Sequence, residues 1–176
     1  MKTLVLAGPE SSGKSWLAAQ LQQRFGGELV GEYVRHFIDQ RQRDTCYADI
    51  PEIARGQLAW EDAARARTPG LLILDTHLLS NMLWSKTLFA DCPQWLEHAL
   101  LSRHYDLTLL LAADGVEWVA DGQRCQPALG ERQAFFDASQ RWLDQHHQTH
   151  QVVGGDWDER RAHAFQAVSE LLKPEP

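Results

Sequence analysis

The segment Gly8–Ser15, with the sequence GPESSGKS, constrains the fold of this chain more than any other stretch. It fits the pattern G-x-x-x-x-G-K-[ST], follows the apolar run TLVLA and leads into SWLAAQLQQRF, whose apolar residues recur with helical spacing. Glycines at both ends let the backbone curve around an anion, while the loop amides and the N-terminus of the next helix direct positive dipole at it. The sequence therefore predicts a strand, a phosphate-binding loop and a helix in direct succession.

Each position of this loop has an expected task in binding ATP and Mg²⁺. Lys14 would reach the β- and γ-phosphates and act in catalysis, and the hydroxyl of Ser15 would hold the metal ion. A glycine-rich turn that binds nothing is the alternative, and the flanking strand and helix argue against it. The residues predicted to bind the nucleotide are Gly8, Pro9, Glu10, Ser11, Ser12, Gly13, Lys14 and Ser15.

Charge and composition exclude several classes of protein. The net charge of -7 argues against nucleic acid as a partner, because binding it needs a concentrated surplus of Lys and Arg. The apolar runs are far shorter than the roughly 20 residues that cross a bilayer, so we expect no membrane partner. No secretory leader pattern precedes the first strand, and the widely spaced cysteines indicate reduced thiols. We expect a cytoplasmic protein, and the sequence leaves open whether it forms a homo-oligomer.

Strand-like and helical segments alternate along the chain, as in α/β folds with a parallel sheet. We predict one domain over residues 1–176 with the P-loop NTPase kinase-type fold, a central five-stranded parallel sheet flanked by helices, with a lid over about residues 114–132. The predicted strands are Lys2–Ala7, Glu28–Val30, Leu71–Leu74, Asp106–Leu111 and Gln151–Val153. The predicted helices are Lys14–Arg24, Tyr33–Arg43, Pro51–Arg67, Leu78–Thr87, Pro93–Arg103, Glu131–His147 and Asp158–Leu172.

Two absences narrow the choice among proteins with a phosphate loop. The chain lacks the N-K-x-D sequence with which GTPases read guanine, and it is too short for the lid domain and sensor residues of a large ring ATPase. Small-molecule kinases fit this length. They need a carboxylate that accepts the proton of the acceptor hydroxyl, a second acidic strand end near Mg²⁺, and a lid that carries arginines.

Acidic residues follow the second and third predicted strands, at the carboxyl edge of the sheet where α/β folds bind ligands. Glu32 is the candidate general base, and Arg35 completes an E-x-x-R that would contact the substrate. Asp75 ends LLILD and would hold Mg²⁺ or the substrate, and it stays open as the base. The alternatives are an exposed i, i+3 ion pair for Glu32 and Arg35, and a helix cap for Asp75. Tyr33 would stack on a flat substrate ring or pack in the core.

The segment after the fourth predicted strand, AADGVEWVADGQRCQPALGERQ, has the glycines and charges of a closing lid. Arg124 would stabilise the transferring phosphoryl group as a catalytic residue, and Arg132 would contribute to the nucleotide site. Trp118 would stack on a flat substrate ring. Solvated loop charges are the alternative for both arginines, and core packing is the alternative for Trp118.

The C-terminal region carries weaker signals. WDERRAH suits an exposed helix start with acidic residues near the positive end of the helix dipole. The turn Gly154–Trp157 is a further candidate for contact with adenine. The final KPEP is expected to fray.

Five motifs carry a resemblance to a known family: GPESSGKS, GEYVR, LDTHLLSNMLWSKTLFADCPQWL, YDLTLLL and WVADGQR, in that order. They resemble the ribosylnicotinamide kinase domain of bifunctional NAD-salvage proteins, and the resemblance covers nearly the whole chain. It implies ATP-dependent phosphorylation of the 5′-hydroxyl of nicotinamide riboside to nicotinamide mononucleotide. By this likeness Gly8–Ser15 bind ATP and Mg²⁺, and Glu32 and Asp75 lie at the reacting end. The residues it places on the lid and nucleoside side are Trp118, Asp121 and Arg124.

The sequence departs from that family in two respects. In the family an adenylyltransferase domain precedes the kinase domain; none precedes Met1 here and no helix-turn-helix is present, so adenylyl transfer and DNA-linked regulation are not expected of this chain. His77 stands where the resemblance leads us to expect an acidic residue after Asp75 and Thr76. A kinase for another nucleoside or nucleotide, and a non-catalytic ATP-binding module, are the alternative functions.

Overall fold

The computed structural model describes residues 1–174, and its elements follow the predicted order. The strands are β1 (Lys2–Ala7), β2 (Glu28–Val30), β3 (Leu71–Asp75), β4 (Leu107–Leu111) and β5 (His150–Val153). The helices are α1 (Lys14–Phe25), α2 (Tyr33–Arg41), α3 (Ile50–Ala66), α4 (Leu78–Phe89), α5 (Trp95–Leu101), α6 (Leu129–Gln145) and α7 (Trp157–Leu171). None of these helices is long and apolar enough to cross a membrane. The last two residues of the KPEP tail lie outside the described residues.

All five strands are parallel and lie in the order β2-β3-β1-β4-β5, which confirms the predicted fold class. Leu6 of β1 lies opposite Asp75 of β3, and Ala7 lies opposite Leu110 of β4. Strands β3 and β4 therefore flank β1. The loops that follow these three strands meet at one edge of the sheet, where open α/β folds bind their ligands.

Alternate residues of the sheet enter two separate cores, because successive side chains of a strand point to opposite faces. Val5 and Leu72 belong to a core closed by α3, α4, α5 and α6. Leu4 and Ile73 belong to a core closed by α1 and α7. The central strands are apolar on both faces for this reason, and the molecule has three layers with the sheet in the middle.

Most element bounds differ from the prediction by one or two residues, and three local differences lie near the site. Strand β3 extends by one residue, because Asp75 still pairs with β1. Helix α6 begins at Leu129, so the residues 129–132 predicted for the lid are helical, and the irregular lid comprises residues 114–128. A 3-10 turn at Tyr47–Asp49, which we did not predict, leads into α3. Asp49 fastens this turn by accepting two hydrogen bonds from Arg43, at 2.7 and 2.8 Å.

Candidate active site

The segment between β1 and α1 forms a tight loop with glycine at both ends. Gly8 and Gly13 have φ angles of 131° and 89°, and a Cβ at Gly8 would lie 2.6 Å from the carbonyl oxygen of Leu111. Lys14 turns back into the loop, where its Nζ donates to the carbonyl oxygens of Gly8 and Pro9 at 3.1 and 2.8 Å. The ammonium group therefore lies inside the loop, where phosphate oxygens can replace these carbonyl oxygens.

Asp75 lies at the carboxyl end of β3, beside the phosphate loop, and is 5% exposed. Burial and the negative charge of Glu32 raise the pKa of Asp75 from 3.8 to about 6, against the opposing effects of Lys14, a hydrogen bond with Ser15, and Arg35. Its Oδ1 has no hydrogen-bond partner in the described part of the chain. A cation bound at this place would relieve the repulsion between the two acids.

Glu32 is the N-cap residue of α2, at the carboxyl end of β2, and it lines the same cavity as the phosphate loop. Arg35 donates from Nε to Glu32 Oε2 at 3.1 Å and from Nη1 to Asp121 Oδ2 at 2.7 Å. The i, i+3 pair expected as an alternative is therefore present, and it is also bonded to the lid. Arg35 connects the acid at the start of α2 to the segment that covers the site.

Gln57 is a residue that our sequence analysis missed. It is buried on α3, where its Nε2 donates to the carbonyl oxygen of Gly31 at 3.1 Å and its Oε1 accepts from the backbone N–H of Tyr33 at 2.8 Å. These two backbone groups lie on either side of Glu32, so Gln57 fixes the orientation of that acid. No sequence pattern marks a glutamine of this kind, because its partners lie more than 20 residues away along the chain.

The lid rests on the phosphate loop through the carboxylate of Glu10. Its Oε1 accepts from Trp118 Nε1 at 2.8 Å and from the backbone N–H of Gln126 at 2.6 Å. Its Oε2 accepts from the backbone N–H of Cys125 at 3.1 Å. One loop carboxylate thus holds two separate parts of the lid, and the indole N–H of Trp118 is bonded to the loop.

Arg124 is the arginine that the lid carries along the wall of the cavity. Its Nη1 donates to the carbonyl oxygen of Val119 at 2.6 Å, and its Nε lies 3.2 Å from Asp121 Oδ2. The backbone N–H of Val119 in turn donates to Ser11 Oγ of the phosphate loop at 2.9 Å. The guanidinium is therefore restrained within the lid and lies beside the cavity, as a group that acts on a bound phosphate requires.

Seven residues predicted for the site do not line the cavity: Gly8, Pro9, Tyr33, Asp75, Trp118, Asp121 and Arg132. For two of them, Tyr33 and Arg132, the structure shows a different contact. The ring of Tyr33 packs against Trp60 and His36, with ring centroids 4.9 and 5.5 Å apart, so the structure gives it the packing role that the sequence held as an alternative. Arg132 lies in α6 rather than in the lid. It is buried, and its Nη1 donates to the carbonyl oxygen of Ala113 at 3.2 Å, just before the lid begins.

His77 occupies the position where the family resemblance led us to expect an acid. Its side chain is buried in the core, and the imidazole lies edge-on to the ring of Tyr105 at a centroid distance of 4.8 Å. Burial lowers the pKa of His77 to about 3, so the imidazole is neutral at physiological pH. This position contributes packing rather than a charge, and Asp75 and Glu32 are the acids at the edge of the sheet.

A cavity of about 570 Å³ joins the phosphate loop to an apolar chamber between α2, α3 and α4. Glu32 and Arg35 line the cavity beside the loop, and Asp44 adds an acid to its wall. The apolar side chains of the chamber are Val34, Ile38, Ile50, Ile53, Trp84, Leu88 and Phe89. These side chains give the chamber an apolar surface, as small-molecule sites commonly have.

Two indole rings border the other end of the cavity, next to the phosphate loop. Trp16 and Trp157 pack edge to face with centroids 4.9 Å apart. Trp157 lies so close to Gly13 that a Cβ there would be 2.5 Å from the indole. The turn Gly154–Trp157, predicted to contact adenine, therefore does end beside the phosphate loop.

The side chains next to the loop fit a magnesium ion. Ser15 is exposed, and its hydroxyl lowers the pKa of Asp75, which has a buried oxygen without a partner in the described part of the chain. Magnesium at sites of phosphoryl transfer is held by one or two protein groups together with phosphate oxygens and waters. It therefore does not require a cluster of three His, Cys, Asp or Glu ligands, and residues 1–174 contain no such cluster. Ser15 and Asp75 are the residues that would hold it.

The parallel sheet, the phosphate loop after the central strand β1, and the acids at the ends of β2 and β3 define a P-loop protein with a kinase-type fold. Residues 3–160 match the family described as AAA domain, and the chain belongs to that family. The matched span begins in β1 and ends in α7, so it contains the phosphate loop and all five strands.

The chain is similar to two curated proteins over part of their length. The chain is 25% identical over 177 residues to the trifunctional NAD biosynthesis/regulator protein NadR of Salmonella typhimurium, covering 98% of this chain and 43% of the relative. The Escherichia coli protein of the same description is 24% identical over the same shares. The chain thus spans less than half the length of these relatives.

Similar folds include a NadR protein in complex with NR, with a TM-score of 0.78, 18% identity, and coverage of 99% of this chain and 51% of that one. Thymidylate kinase from Ehrlichia chaffeensis has a TM-score of 0.68 and 13% identity, with 95% and 98% coverage. Deoxyadenosine kinase from M. mycoides has a TM-score of 0.64 and 14% identity, with 96% and 100% coverage. These likenesses establish a kinase-type fold.

Proposed function

We propose that the protein transfers the γ-phosphoryl group of ATP to the 5′-hydroxyl of nicotinamide riboside and so forms nicotinamide mononucleotide. The observation that carries the proposal is the continuity of the cavity, in which the loop around Lys14 opens past Glu32 into the apolar chamber. The similarity to NadR over 98% of the chain, and the likeness to a NadR structure that contains NR, support this acceptor.

The chemistry of the chamber favours a nucleoside over a nucleotide as the acceptor. A monophosphate would need a cation to receive its charge. Beyond the phosphate loop, the lid and the Glu32–Arg35 pair, the cavity is lined by apolar side chains, by the uncharged polar residues Thr45, Thr76, Ser80 and Asn81, and by Asp44. The pyridinium ring of nicotinamide riboside is flat and positively charged. Trp84 offers it an aromatic face, and Asp44 offers it an opposite charge.

Glu32 is the general base of the proposed reaction. It lines the cavity, whereas Asp75 is buried at the end of β3, outside the cavity lining, and suits the cation. The 5′-oxygen attacks the γ-phosphorus as its proton passes to the Glu32 carboxylate. A bond forms between oxygen and phosphorus, the bond from the γ-phosphorus to the bridging oxygen breaks, and ADP leaves with that electron pair.

Charge stabilisation supplies most of the remaining catalysis. Lys14 lies at the place where the β- and γ-phosphates would enter the loop, and Arg124 is carried by the lid to the cavity wall. Mg²⁺, held by Ser15 and Asp75, would neutralise charge on the phosphate oxygens. The lid contacts of Glu10 exclude water from the phosphate loop and so limit hydrolysis of ATP.

The test is a panel of acceptors with MgATP, read by ADP release and by the mass of the product. The panel contains nicotinamide riboside, thymidine, deoxyadenosine and thymidine monophosphate. We expect nicotinamide riboside to have the highest kcat/KM and to gain one phosphate. The Lys14→Ala variant should lose about 10²–10³-fold in kcat, because it lacks the charge that the transition state requires.

A different outcome of the acceptor panel would indicate a different function. Preference for thymidine or deoxyadenosine would make the protein a deoxynucleoside kinase, and preference for thymidine monophosphate would make it a nucleotide kinase. ATP binding without ADP release for any acceptor would identify a non-catalytic nucleotide-binding module. Any of these three results contradicts the proposed acceptor.

A further inference from the structure

Arg160 is a fully buried arginine that neither the sequence analysis nor the proposed mechanism uses. The motif WDERRAH predicted an exposed helix start, yet Arg160 is 0% exposed and reaches from α7 under the phosphate loop. Its Nε donates to the carbonyl oxygen of Gly155 at 2.8 Å, and its Nη1 donates to those of Ser12 and Ala112 at 3.2 and 3.1 Å. Its Nη2 donates to the carbonyl oxygen of Asp114.

These four carbonyl groups belong to three different loops. Ser12 lies in the phosphate loop, Ala112 and Asp114 lie where β4 leads into the lid, and Gly155 lies in the turn between β5 and α7. A guanidinium group has five N–H donors in a rigid plane, which allows one side chain to fix several backbones at once. The three segments that surround the nucleotide site thus share one cationic centre.

No ion pair accompanies the burial of Arg160 among residues 1–174. Within residues 1–174, no carboxylate oxygen lies within ion-pair distance of its guanidinium, and burial lowers its pKa against a weaker opposing effect of the Asp114 charge. A buried guanidinium still keeps its proton, so Arg160 places a positive charge under the phosphate loop. The acceptors of its hydrogen bonds are all backbone carbonyl oxygens.

The bond to Ser12 has a direct consequence for the phosphate loop. The peptide that joins Ser12 to Gly13 is trans and planar, so its N–H points away from its C=O. Because the C=O of Ser12 is directed at Arg160, the N–H of Gly13 is directed to the other side, and Gly13 lines the cavity there. In the described residues this N–H has no protein acceptor. It is therefore available to an anion.

We propose that Arg160 is a positioning residue for nucleotide binding, which holds the Ser12–Gly13 peptide so that the Gly13 N–H donates to a phosphate of the nucleotide. Arg160 also connects the phosphate loop to the start of the lid and to the turn after β5, so it fixes the positions of these three loops relative to one another. The proposal rests on the nucleotide-binding part of the proposed function and is independent of the acceptor.

The first experiment compares two neighbouring arginines. Arg160→Gln removes the charge and most of the donors, and Arg161→Gln removes a half-exposed arginine whose only ion pair within residues 1–174 is with Asp158. Calorimetric titration of each folded variant with Mg²⁺ and a non-hydrolysable ATP analogue gives Kd. We expect Arg160→Gln to raise Kd about tenfold, as losing one charge-assisted hydrogen bond does, and Arg161→Gln to leave it unchanged.

The kinetic pattern separates positioning from simple stabilisation. Arg160→Gln should raise KM for ATP and leave KM for the acceptor unchanged, and Arg160→Lys, which keeps the charge with fewer donors, should recover part of the affinity. A folded Arg160→Gln variant that binds the analogue within twofold of the wild type would overturn the proposal, although the proposed function would stand. Failure of the wild type to bind any nucleotide would overturn both.

Wild-type protein provides a measurement that does not depend on whether the variants fold. In ¹⁵N-labelled protein the Arg160 Nε–H signal should be protected from exchange with water. Addition of MgADP should shift the signals of both Gly13 N–H and Arg160 Nε–H, because the phosphate and the guanidinium act on one peptide. A shift at neither group on saturation with MgADP would contradict the proposal.

Discussion

At the scale of single residues, the buried charge of Asp75 lowers the stability of the folded protein. Its pKa in the folded protein, about 6, is above the value of 3.8 that it has in an unfolded chain. The folded state therefore binds the proton more tightly, and its stability falls as the pH rises from about 4 to about 6. At neutral pH the free protein carries the full cost of a buried charge beside Glu32.

Replacing Asp75 with asparagine should therefore stabilise the free protein while abolishing its activity. In EDTA at pH 7.5 we expect Asp75→Asn to increase the free energy of unfolding by roughly 1–3 kcal/mol, and at pH 4 to have little effect because Asp75 is then protonated. Urea unfolding at the two pH values checks this. Asp137→Asn, at an exposed position of α6, is the control and should change stability at neither pH. Equal gains at both pH values would contradict the assignment of the raised pKa.

Glu32→Gln tests the base directly. The amide keeps the size of the side chain but cannot accept a proton, so kcat should fall about 10²-fold while Kd for MgATP stays within a factor of about two. Glu117→Gln, which removes a lid acid that also lines the cavity, should retain turnover. Normal turnover by Glu32→Gln would transfer the role of base to Asp75.

The site residues divide into those that the sequence could indicate and those that it could not. Lys14, Ser15 and Asp75 follow from local motifs, because a strand, a turn and a helix place them in a fixed relation. Gln57 and Arg160 act through backbone groups of distant segments, so no local pattern reveals them. Arg160 lies between Glu159 and Arg161, and we expected this segment to be exposed.

At the scale of elements, helix α2 is held in place by close packing on α3. The ring of Tyr33 lies over Gly56, where a Cβ would come within 2.1 Å of the ring. Gln57, the next residue of α3, bonds to the backbone on both sides of Glu32. The position of the candidate base thus depends on one small residue in the middle of a helix.

This packing predicts opposite effects for two helical glycines. Gly56→Ala should destabilise the protein by about 1–3 kcal/mol and lower kcat, because the added methyl group displaces Tyr33 and with it Glu32. Gly130 lies at the start of α6, where a Cβ would meet nothing within 4 Å. The Gly130→Ala variant should therefore be as stable as the wild type or more stable by up to about 1 kcal/mol. Thermal unfolding of both variants, with kcat, checks the prediction. A stabilising Gly56→Ala would show that α2 can shift freely.

The lid depends in a similar way on Glu10. Replacement with glutamine keeps one acceptor but removes the charge shared by three N–H groups, so the lid should open more often. We expect trypsin to cleave the Glu10→Gln variant after Arg124 about fivefold faster than the wild type. This ratio corresponds to a free energy of lid opening that is lower by roughly 1 kcal/mol. Glu131→Gln, at the start of α6, serves as the control. Equal cleavage rates for Glu10→Gln and the wild type would refute the role of Glu10 in holding the lid.

The periodicity of apolar residues predicted the overall fold, but it did not predict all element bounds and turns. Apolar runs such as LTLLL and LLILD predicted buried parallel strands, and these are confirmed as β4 and β3. The start of α6 at Leu129 shortened the lid, because Leu129 and Gly130 continue the helix that we began at Glu131. The 3-10 turn before α3 depends on the contact between Arg43 and Asp49, which periodicity does not encode.

At the scale of the whole molecule, nucleotide binding should stabilise the fold by mass action. MgATP at 100 times its Kd adds about 2.7 kcal/mol to the free energy of unfolding, which raises Tm by roughly 5–10 °C for a chain of this size. Lys14→Ala should lose most of this shift, while Lys86→Ala, at an exposed position of α4, should keep it. An identical shift in Lys14→Ala would place the nucleotide elsewhere.

The edge-to-face pair of Trp16 and Trp157 beside Gly13 gives the molecule a built-in optical reporter. Indole emission changes wavelength with the polarity around the ring, and these two rings stand next to the loop that would receive the triphosphate. Filling of that end of the cavity should therefore be visible as a spectral change in unlabelled protein, in real time and at micromolar concentration.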